Sequence, residues 1–275
     1  SMFSLPLRLA LGLCLCLSSL PAWATLSNAQ ALNLAGQQRM LSQRIAKSYL
    51  MLGSQVRPDV ANRQLDQSLA TFESNQLALD DYAPNPAIRQ QLQSAGALWQ
   101  DYRQLALSPA DHAHAIQLMA KADELLAQSE KTVSLIEANS GDSTAQLINR
   151  SGRQRMLSQR IASLYLALSW KLPATQLQQQ FQQAVDEFDQ ALNSLQAAPQ
   201  NTAAINAGLE KAQAQWTFSK AGFRLSDDQR YVPTLITATS ETLLQQMEAL
   251  TLAYTQLLSN TSTSTATPTA APAAN

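Results

Sequence analysis

Glycine is rare in this chain, with 8 in 275 residues. Few positions can therefore be sharp turns, and the chain is expected to travel in long regular segments. Valine, isoleucine and the aromatics are too few and too scattered for a sheet protein. Alanine, leucine and glutamine dominate instead, and each loses little rotamer freedom in a helix. Histidine occurs only at His112 and His114. Two positions apart on a helix, their rings point to different sides and hold one metal poorly. The acid pairs Asp123-Glu124 and Asp186-Glu187 are adjacent, so they diverge on a helix and read as solvated faces rather than acid/base dyads. No Ser/His/Asp, Cys/His, phosphate-loop or metal-ligand pattern is present, so neither an enzyme nor a cofactor or metal is expected. A net charge of -1, with acids and bases in both halves, gives no nucleic-acid-binding face.

Cysteine is confined to Cys14 and Cys16, inside the apolar run Leu9 to Leu20. That run is shorter than the roughly 20 residues of a membrane span. The Ala22-Trp23-Ala24 that follows reads as the cleavage site of a secretory leader covering residues 1–24. Leu13 and Leu15 stand where a lipidation site would need small residues. The processed chain is expected to have no cysteine, no disulfide and no membrane span, and to be exported to the periplasm of a Gram-negative cell.

Breakers divide the remainder. Gly53-Ser54 with Arg57-Pro58, the run from Asp80 to Pro86, Ser108-Pro109, and Ser140 to Ser143 close the first four segments. Pro173, Ala198-Pro199 and a looser stretch from Gly222 to Pro233 divide the rest. Pro58, Pro109 and Pro233 each suit the first turn of a helix. The expected fold is all-α, with eight helices in two tandem antiparallel four-helix bundles, at residues 25–141 and 142–260. The Thr/Ala/Pro tail at 261–275 has no large apolar residue to bury and is expected to be disordered.

The two halves share a motif. NLAGQQRMLSQRIAKSYL begins at Asn33, and NRSGRQRMLSQRIASLYL begins at Asn149, 116 positions later. The spacing of Leu65, Leu69, Phe72 and Leu79 recurs as Phe181, Val185, Phe188 and Leu195. Trp99 has its counterpart at Trp216, and Leu125-Leu126 at Leu243-Leu244. This pattern reads as an internal duplication whose halves pair as a pseudo-dimer.

At 100° per residue, Leu34, Leu41, Ile45 and Leu52 form one apolar face of the first copy. Gly36, Gln43, Lys47 and Met40 lie opposite, flanked by Arg39 and Arg44. The second copy presents Gly152, Met156 and Gln159, flanked by Arg155 and Arg160, and Ser163 replaces Lys47. Neither copy carries an acid. From Thr25 to Pro58 the charges are Arg39, Arg44, Lys47 and Arg57; from Ser143 to Val185 they are Arg150, Arg153, Arg155, Arg160 and Lys171. These helices forgo the usual i,i+4 acid–base pairs. An interior helical glycine costs about 1 kcal/mol against alanine, so its repetition points to close approach of a helix or ligand. Two readings follow. In one, the copies face each other and their arginines converge on a planar oxyanion that each guanidinium fork can grip. In the other, acids of neighbouring helices, such as Asp66, Glu73, Asp123 and Glu130, pair the arginines.

N-x-x-G-x-x-R-M-L-S-Q-R-I-A resembles the P-box helix of the NarX/PilJ-type periplasmic sensor domain, the type IV pili methyl-accepting chemotaxis transducer N-terminal family. The wording MLSQRIA is closer to the PilJ-like branch than to the nitrate sensor kinases. With the flanking helices, the resemblance covers Thr25 to Asn260. It implies antiparallel four-helix bundles that pair, with a nitrate ion between the two first helices. Carried onto this sequence, the ligand-binding arginines are Arg39, Arg44, Arg155 and Arg160, and the glycines of close approach are Gly36 and Gly152. Met40, Met156, Gln43, Gln159 and Lys47 line the same stripe. Family members usually continue into membrane spans and signalling modules, and this chain shows neither after the leader. A partner, either a membrane receptor or a histidine kinase, is therefore expected to read the ligand state. The alternative is a ligand-free adaptor in an envelope or pilus chemosensory complex.

Overall fold

The computed structural model describes residues 25–264, and the expected leader lies outside them. Eight helices follow in order. They are α1 (Asn28–Gly53), α2 (Pro58–Tyr82), α3 (Pro86–Ala106), α4 (His112–Ser140), α5 (Ser143–Ser169), α6 (Leu177–Gln196), α7 (Ala203–Arg224) and α8 (Pro233–Ser264), with a short 3-10 turn at Leu225–Asp228. No strand occurs among the described residues, and none of their helices is long and apolar enough to cross a membrane.

The starts are set by side chains that satisfy the free amides of a first turn. Ser27 and Gln30 form a reciprocal capping box on α1. Asn85, Asp111, Asp142 and Thr202 cap α3, α4, α5 and α7. Pro58 and Pro233 open α2 and α8 as expected. Pro109 does not open α4, because the Asp111 side chain caps that helix two residues later; Pro86 instead opens α3. Gly141 ends α4 with φ at 66°, and the next residue already caps α5. Residues 261–264 of the expected C-terminal tail are helical, since α8 runs through Ser264; the rest of that stretch lies outside the described residues.

Helix α1 packs on α2 and α4, and α3 on α4. Helix α5 packs on α6 and α8, and α7 on α8. Hydrogen bonds fix the directions. Gln38 of α1 donates to the Phe72 carbonyl while Tyr82 binds Asn28, so α1 and α2 are antiparallel. Gln154 of α5 donates to Phe188 and Arg150 to Ser194, so α5 and α6 are antiparallel too. Each bundle is filled by a close aromatic pair, Phe72–Trp99 stacked with centroids 4.0 Å apart and Phe188–Trp216 tilted by 37° at 4.2 Å.

The most extensive contact joins α1 to α5. Arg160 of α5 reaches Gln43 of α1, and Arg39 and Arg155 meet each other's helix nearer both N-termini, so these two helices run parallel. Being surrounded, α1 has no solvent face along most of its length. The polar stripe of Gly36, Gln43 and Lys47 is more deeply buried than Leu34 and Leu52 on the leucine side.

Glycines separate packing from mere tolerance. A Cβ on Gly53 would lie 2.3 Å from the Trp170 ring and 2.9 Å from the Ala110 carbonyl oxygen, whereas one on Gly96 would meet only Gln76 Nε2 at 3.5 Å. Gly53→Ala should therefore lose about 1–3 kcal/mol by overpacking. Gly96→Ala should gain up to about 1 kcal/mol from helix propensity. Urea unfolding midpoints test the pair, and equal midpoints would refute the packing role of Gly53.

Candidate functional site

Residues three apart on a helix share a face, so Asn33, Gly36 and Arg39 line one edge of α1, and Asn149, Gly152 and Arg155 line the matching edge of α5. The helices cross at the glycines. A Cβ on Gly36 would lie 3.0 Å from Arg155 Nη2 and 3.2 Å from Arg39 Nη2; one on Gly152 would lie 3.0 and 3.1 Å from the same two nitrogens. Both guanidiniums therefore fill the space that the missing side chains leave. Long helical side chains lean toward the N-terminus of their own helix, and each arginine reaches back across the crossing. Arg39 donates to Asn149 Oδ1 at 2.7 Å and to the Asn149 carbonyl at 3.0 Å. Arg155 donates to Asn33 Oδ1 at 2.8 Å and to the Asn33 carbonyl at 3.1 Å.

Charge at the crossing is unbalanced. Arg39 and Arg155 are 1 % and 3 % exposed. Arg39 lies 3.1 Å from Glu130, a carboxylate that Arg153 also holds while binding Glu187 at 2.9 Å. Arg155 has no ion-pair partner among the described residues. Burial, reinforced by the charge of Arg39, pulls Arg155 down to about 10. Burial also lowers Arg39, with Glu130 opposing. Across the bundle, burial pushes the Glu248 carboxyl up against the pull of Arg155 and Arg44. The Nε of each crossing arginine is buried without a hydrogen-bond partner.

Arg44, Lys47 and Arg160 have carboxylates. Arg44 lies 2.7 Å from Glu241, and Lys47 touches the other oxygen of the same group. Arg160 binds Asp123 at 2.7 Å and Gln43 Oε1 at 3.2 Å. Each copy thus pairs with the fourth helix of the opposite half, α8 or α4. Burial pushes Glu241 up, but Lys47 and Arg44 outweigh it and hold the carboxyl low. Gln43 and Gln159 donate to the hydroxyls of Ser42 and Ser158. Met40 and Met156 are core residues.

Of the stripe read from sequence, only Arg39, Arg155, Gly36 and Gly152 meet at one point. Arg44, Arg160, Gln43, Gln159 and Lys47 form a second layer of polar contacts. Asn33 and Asn149 are the residues that sequence reasoning passed over, although their signal was the first letter of N-x-x-G-x-x-R. Glu241 carried no such signal. Asp123, read from sequence both as part of a solvated face and as an acid able to pair the motif arginines, is half-exposed and pairs with Arg160, as Glu130, named with it, pairs with Arg39.

The Glu241 cluster gives two expectations. Glu241→Gln strands Arg44 and buried Lys47 together, and should cost on the order of 3 kcal/mol. Lys47→Met leaves the Arg44–Glu241 pair whole and should stay within about 1.5 kcal/mol of the parent. Equal losses in denaturant titrations would refute that asymmetry. Burial lowers Lys47 from 10.5 to about 8, against the pull of Glu241. Between those values the unfolded chain binds a proton that the folded chain has released, so stability should rise with pH. Unfolding measured from pH 8 toward 10, below tyrosine ionisation, should show a rise that Lys47→Met flattens. An unchanged slope in that variant would count against the assignment.

Comparison with known proteins agrees with the repeated motif. The profile described as type IV pili methyl-accepting chemotaxis transducer N-term matches residues 22–132 and again 137–221. No curated protein gives a significant match, and no solved structure does. Two tandem matches spanning most of the described residues, each holding one copy of the arginine helix, show that the chain belongs to this family of sensory, non-catalytic transducer domains.

Proposed function

We propose that the protein is a periplasmic sensory module whose input is a small planar oxyanion, nitrate or nitrite first, held where α1 crosses α5. The observation that carries this reading is the pair of buried guanidiniums at Gly36 and Gly152, each with an unused Nε, of which Arg39 alone has a carboxylate partner among the described residues. Two cations brought together out of water repel, and a monoanion between their forks relieves that repulsion. Glu130 is the internal competitor, since it already holds Arg39. An anion that draws Arg39 and Arg155 together moves α1 against α5. The halves at 25–141 and 142–260 supply one side of the site each. The Arg44–Glu241 and Arg160–Asp123 pairs carry the shift to α8 and α4. A membrane receptor or histidine kinase then reads it.

The second reading, a ligand-free adaptor, draws on the reciprocal asparagine bonds. These occupy both Nη atoms of each crossing arginine without any ligand.

Thermal melts in nitrate, nitrite and chloride at equal ionic strength decide between them. A ligand at a hundredfold excess over its Kd stabilises the folded state by about 2.7 kcal/mol. Nitrate or nitrite should raise the midpoint and chloride should not. Arg155→Lys, which keeps the charge but loses the fork, should abolish the rise. Glu130→Gln, which removes the competitor, should enlarge it. An identical response to all three salts, in parent and variants alike, would leave the adaptor reading standing.

A further inference from the structure

Away from the arginine crossing, α2 and α3 of the first bundle leave a groove of about 750 Å³. Its counterpart positions in the second bundle are filled by the chain itself. There Trp216 Nε1 donates to Asp189 at 3.0 Å, Lys220 binds the same carboxylate at 2.8 Å and lies over the indole, and Gln213 reaches Gln196. In the first bundle Gly96 stands at the position of Gln213, so no α3 side chain enters the gap there; Gln76 of α2 reaches in beside it and donates to the Leu92 carbonyl at 3.0 Å and to Asp80 at 3.4 Å. Glu73, at the position of Asp189, pairs with Arg103, the counterpart of Lys220, at 2.9 Å, but receives no bond from Trp99. Trp99, the counterpart of Trp216, lines the groove and is 2 % exposed, and its Nε1 is buried with no hydrogen-bond partner. An unpaired buried N–H is destabilising, and its twin in the same chain is satisfied.

Nothing in the packing demands glycine at 96, because a Cβ there meets only ordinary contact. A helix-interior glycine that the fold does not require leaves room for something else to approach. The groove also has direction. Asp80 and Arg89 flank its end beside the α2–α3 connection, and neither has an ion-pair partner among the described residues. Leu77 and Leu92 follow, then Gly96 at about 10 Å and Trp99 at about 15 Å along the helix from Arg89, the long Trp99 side chain leaning back toward Gly96. Leu77 is 69 % exposed. Opposite charges that share one end of a groove without pairing offer places for an ammonium and a carboxylate.

We propose that this groove binds a free α-amino acid whose side chain ends in an oxygen acceptor. Its carboxylate sits on Arg89 and its ammonium on Asp80. Its side chain runs past Leu92, over Gly96, and accepts from the Trp99 indole N–H. The site is independent of the anion crossing, and of whether that crossing binds anything.

The probe is L-glutamine, titrated at millimolar concentration into the full chain. The readout is the Trp99 indole signal in a proton–nitrogen spectrum, assigned with Trp99→Phe. The expected result is a saturable shift of that signal alone among the indoles. Gly96→Gln, which restores the residue found at Gln213 and has room to fold, should abolish it. Arg89→Ala should weaken binding about tenfold or more. The analogue lacking the amino group should bind as weakly, because Asp80 then faces no cation. No shift with L-glutamine, or a shift that survives in Gly96→Gln, overturns the site; equal binding of the deaminated analogue overturns the amino acid assignment.

Discussion

The crossing of α1 and α5 at Gly36 and Gly152 is the constraint around which the molecule is arranged. Two parallel helices come close only where side chains are missing, and the space so created holds two guanidiniums rather than apolar atoms. Burying two like charges is unfavourable unless every donor finds an acceptor. The surroundings answer that demand with Asn33, Asn149 and Glu130. The match is incomplete, because Arg155 lacks a carboxylate and both Nε atoms lack acceptors. A site held slightly out of balance is one that a small change in charge can move.

Each half of the chain depends on the other through this crossing. Arg44 and Lys47 of α1 reach Glu241 of α8, and Arg160 of α5 reaches Asp123 of α4. A displacement of either motif helix therefore strains an ion pair in the opposite bundle. In the proposed sensing, the crossing and the ion pairs that would report on it lie on the same two helices, and no separate relay is needed.

The two copies differ where function can use the difference. Arg153 replaces Gln37 and brings a second cation to Glu130. Ser163 replaces Lys47, so one acidic partner holds two cations and the other holds one. Gly96 replaces the larger Gln213, which leaves one groove open and its twin filled. The stretch QRMLSQRIA is identical in the two copies, and both keep the Asn, Gly and Arg of the crossing, so these substitutions make the bundles unequal without altering the crossing itself.

Helical character, the breaks between helices and the repeated arginine face were all legible in the residues. They follow from local rules: rotamer entropy, proline and glycine geometry, capping side chains and a 100° periodicity. The convergence of Arg39 and Arg155 was legible for the same reason, since a glycine and an arginine one turn apart recur in both copies. Which acid meets which arginine was not. Glu241 lies 197 residues from Arg44, and Glu130 lies 91 from Arg39, so nothing in the spacing marks those pairs. The helices and the face each copy presents follow from the residues of each segment alone. The packing of the helices settled that Arg39 and Arg155 would share one buried point while Arg44 and Arg160 took carboxylates of the opposite bundle. That outcome depends on the parallel packing of α1 on α5 and on the reach of side chains from α4 and α8, and neither is a property of any single segment.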